Sequence, residues 1–170
     1  MYYPAAAFFC RGSEEKIREM FAFYQSLFVM TWVVFAIFII FPTEVYIRRD
    51  IPESILNGEG FWGFWYGDFM HKADLPYNAW PSLHVTQSLL IVMLMRYWKI
   101  IEGWIEIVVW VSWILLCISV MTTKQHFFFD LVTGTVTGLV CWFYMCIPAM
   151  KSAKNEEWIT AFSGDDYSEL

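Results

Sequence analysis

Long apolar runs constrain the fold of this 170-residue chain more than any other feature of its sequence. A helix needs about 20 residues to cross the hydrocarbon core of a bilayer, and a helix satisfies its own backbone hydrogen bonds there. Three of the four apolar runs reach that length. The second run along the chain reaches it only if part of residues 77–82 is counted. The sequence therefore predicts an all-α integral membrane bundle of about four transmembrane helices. The predicted spans are roughly Met20–Phe41, Leu83–Trp98, Ile100–Met121 and Phe127–Met150.

The composition supports a membrane protein. Hydrophobic residues make up 58% of the chain and charged residues 16%, which lies outside the range of ordinary soluble domains. The 10 Trp, 9 Tyr and 16 Phe residues are typical of proteins with wide membrane–water interfaces. No basic patch with interleaved aromatics indicates nucleic-acid binding. We predict a membrane-embedded domain over residues 1–150 and a polar cytoplasmic tail over residues 151–170.

The distribution of basic residues predicts the orientation. With four spans, both termini lie on the same side of the membrane, and the positive-inside rule places the more basic side in the cytoplasm. The side of the termini holds seven basic residues: Arg11, Lys16, Arg18, Arg96, Lys99, Lys151 and Lys154. The other side holds four: Arg48, Arg49, Lys72 and Lys124. We therefore expect cytoplasmic termini and an outward-facing long loop over about residues 42–82.

Three segments bring ionisable residues to that outer face. They are FPTEVYIRR (41–49), NAWPSLH (78–84) and TTKQHFFFD (122–130). His126 and Asp130 lie four residues apart, so on a helix they share a face. A carboxylate beside an imidazole can accept one ring N–H and leave the other nitrogen as a nucleophile. The alternative is an interfacial pair that only satisfies itself.

Further residues at this face favour phosphate as the ligand. His84 and Ser82 lie at the predicted start of a helix, where backbone N–H groups bind anions. Arg48, Arg49 and Lys124 add positive charge that matches phosphate oxygens. Phosphoryl transfer depends mainly on positioning and charge stabilisation. The sequence thus predicts a site for a phosphate monoester or diphosphate.

A metal site is the competing interpretation of the same residues. His84, His126 and Asp130 could form a two-histidine, one-carboxylate site. Clustered cations would repel a divalent ion, so we expect neither a metal nor another cofactor.

The outer loop contains an aromatic stretch, FWGFWYG, at residues 61–67. It is interpreted as an interfacial hairpin or short amphipathic helix, because interfacial aromatics are common. A lid over a lipid-access route is the sharper alternative. His71, on the same loop, is interpreted as a solvated residue.

Two of these motifs resemble those of the type-2 phosphatidic acid phosphatase superfamily. PSLH resembles its PSGH motif, with Leu83 in place of glycine. Ser119, His126 and Asp130 keep the spacing of its third motif, although Val120 replaces the arginine that follows the serine. TKQH looks like the branch that includes inositol phosphorylceramide synthase-like proteins. The first motif is less similar, because FPTEVYIRRDIP (41–52) has no Arg-Pro pair.

The resemblance covers about residues 40–148 and implies a fold and a mechanism. Family members commonly have six spans, of which the last four carry the motifs. His126 would attack phosphorus and form a phosphohistidine, and Asp130 would orient His126. His84 would protonate the leaving group and then activate water, without a metal. The phosphate would be held by Ser82, Lys124 and either Arg48 or Arg49.

The function implied is that of a membrane lipid-phosphate phosphatase. Candidate substrates are phosphatidic acid, phosphatidylglycerol phosphate, undecaprenyl diphosphate and lipid A phosphate. The expected location is a bacterial inner membrane with the site on the periplasmic face, and the expected partners are the lipid substrate and the bilayer. A lipid phosphotransferase and a non-catalytic lipid-phosphate binder stay open as alternatives. A channel or transporter subunit fits less well, because its polar groups would follow a spanning path.

Overall fold

The computed structural model describes residues 14–70 and 76–154, and within them every regular element is a helix. Short 3₁₀ and π segments lie at Tyr46–Asp50, Gly63–Met70 and Trp142–Cys146. An isolated antiparallel bridge joins Glu44 and Tyr77. The α-helices are α1 Glu14–Ile40, α2 Glu53–Leu56, α3 Gly60–Trp62, α4 Leu83–Tyr97, α5 Trp104–Thr122, α6 Phe128–Cys141 and α7 Ile147–Lys154.

Three helical stretches of the described chain are long and apolar enough to cross a membrane. They are Lys16–Ile40 within α1, all of α5, and the continuous helix Phe128–Lys154 that contains α6 and α7. The predicted all-α membrane fold is confirmed. The remaining predicted span, α4, has 15 residues, so it rises about 22 Å. That is short of the roughly 30 Å hydrocarbon core.

Helix α4 is an inner helix of the bundle and lies along α1. Near its C-terminal end, Trp98 Nε1 donates to Glu19 Oε2 at 2.8 Å, and nearer its start Gln87 Nε2 donates to Thr31 Oγ1 at 3.3 Å. These contacts make α4 antiparallel to α1. The largest apolar core combines both helices with the α6–α7 helix. Its buried members are Ala22, Phe23, Leu27, Met30, Val34, Leu90, Ile91, Leu94, Cys141, Trp142, Cys146, Met150 and Ala153.

The small residues of GTVTG allow α6 to pack closely on α4. A Cβ atom at Gly134 would lie 2.8 Å from the Ser82 carbonyl oxygen, and one at Gly138 would lie 3.1 Å from Leu89 Cδ2. Thr86 Oγ1 lies 2.8 Å from the Ser82 oxygen and 2.9 Å from the Gly134 oxygen. This glycine pair therefore holds the two helices together within the chain.

One helix extends past a boundary predicted from the sequence. Helix α7 continues through Lys154, past the domain boundary predicted at residue 150. The rest of the predicted tail lies outside the described residues, as do His71 and Lys72 of the outer loop.

Candidate active site

Backbone hydrogen bonds bring the segment after α1 beside the segment before α4. Val45 N donates to the Pro76 oxygen, and Asn78 N donates to the Thr43 oxygen, each at 2.8 Å. The Thr43 hydroxyl also accepts from the Ala79 amide at 3.1 Å. This pairing places the arginine-bearing segment next to PSLH, although about thirty residues separate them.

His126 lies in the turn between α5 and α6, so the helical spacing considered for His126 and Asp130 does not apply. The amides of Gln125 and His126 both donate to the Val120 oxygen, at 3.0 and 3.1 Å. Helix α6 begins at Phe128, after the N-cap residue Phe127. The turn therefore sets the position of the His126 ring, and helical spacing does not.

The side chains of His126 and Asp130 nevertheless lie next to each other. His126 Nδ1 lies 3.5 Å from Asp130 Oδ2, and both side chains are buried. That distance exceeds the usual N–H···O range, and Nδ1 makes no hydrogen bond with the described residues. Asp130 Oδ2 also accepts from the Phe127 amide at 2.9 Å, which fixes the carboxylate at the N-terminus of α6, where negative charge is stabilised.

The other ring nitrogen of His126 faces the start of α4. Its Nε2 lies 3.2 Å from Ser82 Oγ and 3.5 Å from His84 Nδ1. Ser82 is the N-cap of α4, and its hydroxyl oxygen Oγ accepts from the Val85 amide at 3.5 Å. If Nδ1 carries the ring proton toward Asp130, Nε2 keeps a lone pair that can accept from the Ser82 hydroxyl. That tautomer is the one a histidine nucleophile requires.

A cavity of about 290 Å³ opens beside these groups. It brings together His84, His126 and Arg48, which the sequence predicted, with Gln125, which it did not. Gln125 is 9% exposed. The feature of the sequence that could have identified it is its position between Lys124 and His126, just before an apolar helix. The lining residues are Phe35, Phe38, Arg48, Tyr77, Asn78, Ala79, Leu83, His84, Gln125 and His126.

The two arginines have different environments. Arg48 lines the cavity, and its Nε donates to the Lys124 carbonyl oxygen at 3.2 Å. Arg49 pairs with Glu44 at 2.6 Å, its side chain is 73% exposed, and the hydrogen bond to Glu44 raises the pKa of Arg49. Lys124 Nζ lies 3.5 Å from the Asp50 carbonyl oxygen. The structure thus brings Arg48 to the cavity, and it places Arg49 and the Lys124 ammonium outside the lining.

The family motif's serine and arginine positions lie away from the cavity. Ser119 is exposed on α5, and its carbonyl oxygen accepts from the Thr123 amide at 2.9 Å. Val120 is buried in an apolar cluster with Val85 and Cys117. An arginine would be poorly accommodated there, so Arg48 is the guanidinium that the described chain offers to this site.

The competing metal interpretation has no geometric support. In the part of the chain that the structure describes, no three histidine, cysteine or carboxylate side chains are grouped as metal ligands.

Comparison with known proteins gives the class to which this helical membrane fold and histidine site belong. A family model described as the PAP2 superfamily matches residues 2–144. The chain belongs to the PAP2 superfamily. This confirms the resemblance to the type-2 phosphatidic acid phosphatases that was drawn from PSLH and from the spacing of Ser119, His126 and Asp130. No curated protein and no solved structure matches the chain. Membership indicates a phosphatase-type, lipid-phosphate-related function in a membrane, without naming the substrate.

Proposed function

We propose that the protein is a lipid-phosphate phosphatase that acts through a phosphohistidine on His126. One observation carries the proposal: His126 presents Nε2 to Ser82 and His84 beside a cavity lined by Arg48, while its Nδ1 faces Asp130. This arrangement contains a nucleophile, a second imidazole for proton transfer, and a guanidinium for phosphate.

The first step forms the phosphoenzyme. His126 Nε2 attacks phosphorus, the bond between phosphorus and the lipid oxygen breaks, and His84 donates a proton to that oxygen. The imidazolium that forms on His126 is stabilised by the Asp130 carboxylate at Nδ1. Arg48 neutralises charge on the phosphate oxygens, and bidentate guanidinium contacts suit that role.

The second step releases phosphate. His84, now neutral, takes a proton from water, the water oxygen attacks phosphorus, and the bond from phosphorus to His126 breaks. The exposed position of His84 at the cavity supports this role, because the attacking water can reach its ring there.

The phosphate-binding set contains Ser82 and Arg48, with Gln125 added because its amide lines the cavity. Lys124 supports the set through its carbonyl oxygen, which holds Arg48, and its ammonium contributes positive charge at the rim. Arg49 is left out of the set, because its exposed side chain pairs with Glu44 outside the cavity.

The substrate is proposed as a lipid phosphate, because the site adjoins helices that can cross a membrane. Candidates are phosphatidic acid, phosphatidylglycerol phosphate, undecaprenyl diphosphate and lipid A phosphate. With α4 counted as a fourth crossing, the excess of basic residues on the side of the termini supports cytoplasmic termini and an outward-facing site. A bacterial inner membrane is the proposed location.

Phosphate release from a panel of these lipids tests the proposal. The protein is assayed in detergent with excess chelator, beside His126→Ala. Release by the wild type alone supports a metal-independent histidine phosphatase, and the preferred lipid names the substrate. No release by a folded wild-type protein contradicts hydrolysis. Transfer of phosphate to an added lipid alcohol would then identify a phosphotransferase.

A further inference from the structure

The outer loop carries a ladder of stacked and exposed aromatic rings. Phe61 and Trp65 stack with centroids 6.3 Å apart and planes 4° apart, and Trp65 and Phe69 stack at 4.9 Å and 18°. The three residues are 67%, 42% and 53% exposed, and Phe64 beside them is 58% exposed. We call Phe61, Trp65 and Phe69 the aromatic ladder. Soluble proteins rarely expose such a contiguous apolar surface, whereas a membrane protein can cover it with lipid.

Two glycines hold the ladder segment against the rest of the loop. A Cβ atom at Gly63 would lie 1.6 Å from the Gly58 carbonyl oxygen, and one at Gly67 would lie 1.9 Å from the Leu56 carbonyl oxygen. Only glycine permits this approach, so the segment lies flat on the backbone of residues 56–58. The glycine face is buried, while the ladder rings are left exposed.

A hydrogen bond fixes the level of the segment relative to the membrane. Tyr66 Oη donates to the Thr123 carbonyl oxygen at 3.3 Å, and Thr123 directly follows the candidate span Trp104–Thr122. The segment therefore lies at the end of a span, which is the depth of the membrane–water boundary. Burial raises the pKa of Tyr66, against an opposing effect of Arg48, so its hydroxyl keeps the proton that it donates.

The same hydrogen bond links the segment to the cavity. Thr123 precedes Lys124, whose carbonyl oxygen accepts from Arg48 Nε at 3.2 Å. The turn that contains these two acceptors also carries His126. The aromatic segment is therefore attached to the turn that carries the nucleophile and holds the phosphate-binding arginine.

We propose that the aromatic ladder docks into the phospholipid interface at the C-terminal end of α5 and seats the active-site turn at that depth. Aromatic side chains prefer this interface, and the hydrogen bond to Thr123 places the ladder there. The role in catalysis rests on the proposed function, whereas the docking itself does not.

A depth measurement tests the docking without any assay of activity. Phe64→Cys is labelled with an NBD fluorophore and reconstituted into vesicles of phosphatidylcholine and phosphatidylglycerol. Nitroxide lipids labelled near the headgroup should quench the probe, and aqueous iodide should quench it weakly. Phe143→Cys, on a candidate span and 56% exposed, provides the lipid-facing reference, and the unchanged chain gives the background from native cysteines. Quenching by iodide alone would overturn the proposal.

An activity measurement tests the consequence. Replacing all three ladder residues by serine should lower turnover of a long-chain lipid phosphate in vesicles several-fold, with turnover of a water-soluble short-chain phosphate unchanged. Trp104→Ser, an equally exposed aromatic at the opposite end of α5, should change neither. The catalytic role would be overturned if the serine variant changed the rates of both substrates by the same factor, or changed neither. If the wild type hydrolyses neither substrate, the proposed function fails, and the depth measurement still decides the docking.

Discussion

Replacing Gly134 by alanine should separate the two halves of the active site. The added methyl group would lie 2.8 Å from the Ser82 carbonyl oxygen, about 0.6 Å closer than the 3.4 Å at which ordinary contacts begin. The obstacle is backbone, so α6 must move away from α4. Because Ser82 belongs to the α4 side and Asp130 to α6, the movement stretches the 3.2 Å contact between Ser82 and His126.

The expected loss can be estimated from that displacement. Overpacking a close helix contact costs typically about 1–3 kcal/mol of stability. A misplacement of reacting groups approaching 1 Å can lower turnover by about 100-fold, so a shift of a few tenths of an ångström should cost about 10-fold or more. The assay is phosphate release at saturating lipid phosphate, with thermal unfolding followed in the same detergent.

Gly138→Ala is the matched control, because it adds the same methyl group one turn deeper. Its closest contact is the end of the Leu89 side chain at 3.1 Å, which can rotate away. It should therefore leave turnover close to that of the wild type. Full activity in Gly134→Ala, or a larger loss in Gly138→Ala, would refute the role assigned to this helix contact.

Three other substitutions test individual contacts. Arg48→Ala should lower kcat/KM by about 10- to 100-fold, because a hydrogen bond to a charged group contributes about 1.5–3 kcal/mol. Arg49→Ala should leave the kinetics unchanged, because its exposed side chain pairs with Glu44 outside the cavity; equal effects of the two arginine changes would contradict this assignment. Thr86→Val should destabilise the protein by about 1–3 kcal/mol, because its hydroxyl bonds two buried carbonyl oxygens; an unchanged unfolding midpoint would contradict that role.

The helices of the bundle could be predicted from hydrophobicity. The predicted spans beginning at Leu83 and Phe127 start within one residue of α4 and α6, because polar residues mark where an apolar helix leaves the bilayer. The packing role of Gly134 and Gly138 was also accessible, since their spacing allows close helix approach.

The details of the site depended on backbone geometry that sequence patterns do not report. The spacing of His126 and Asp130 was interpreted as one helical turn, but the chain turns between α5 and α6, with Lys124 at a φ of +57°. The choice between Arg48 and Arg49 follows from the direction of the short 3₁₀ helix, which no spacing rule gives. Gln125 was missed because no motif marks it, and only the folded chain shows that it lines the cavity.

The central claim is that His126 becomes phosphorylated, and trapping the phosphoenzyme tests it most directly. Protein incubated with a lipid labelled in its phosphate is quenched in alkali, and the modified residue is located by mass spectrometry. We predict an alkali-stable, acid-labile phosphate on His126 that is absent from His126→Ala. Label on another residue, or phosphate release that persists in His126→Ala, would contradict the account.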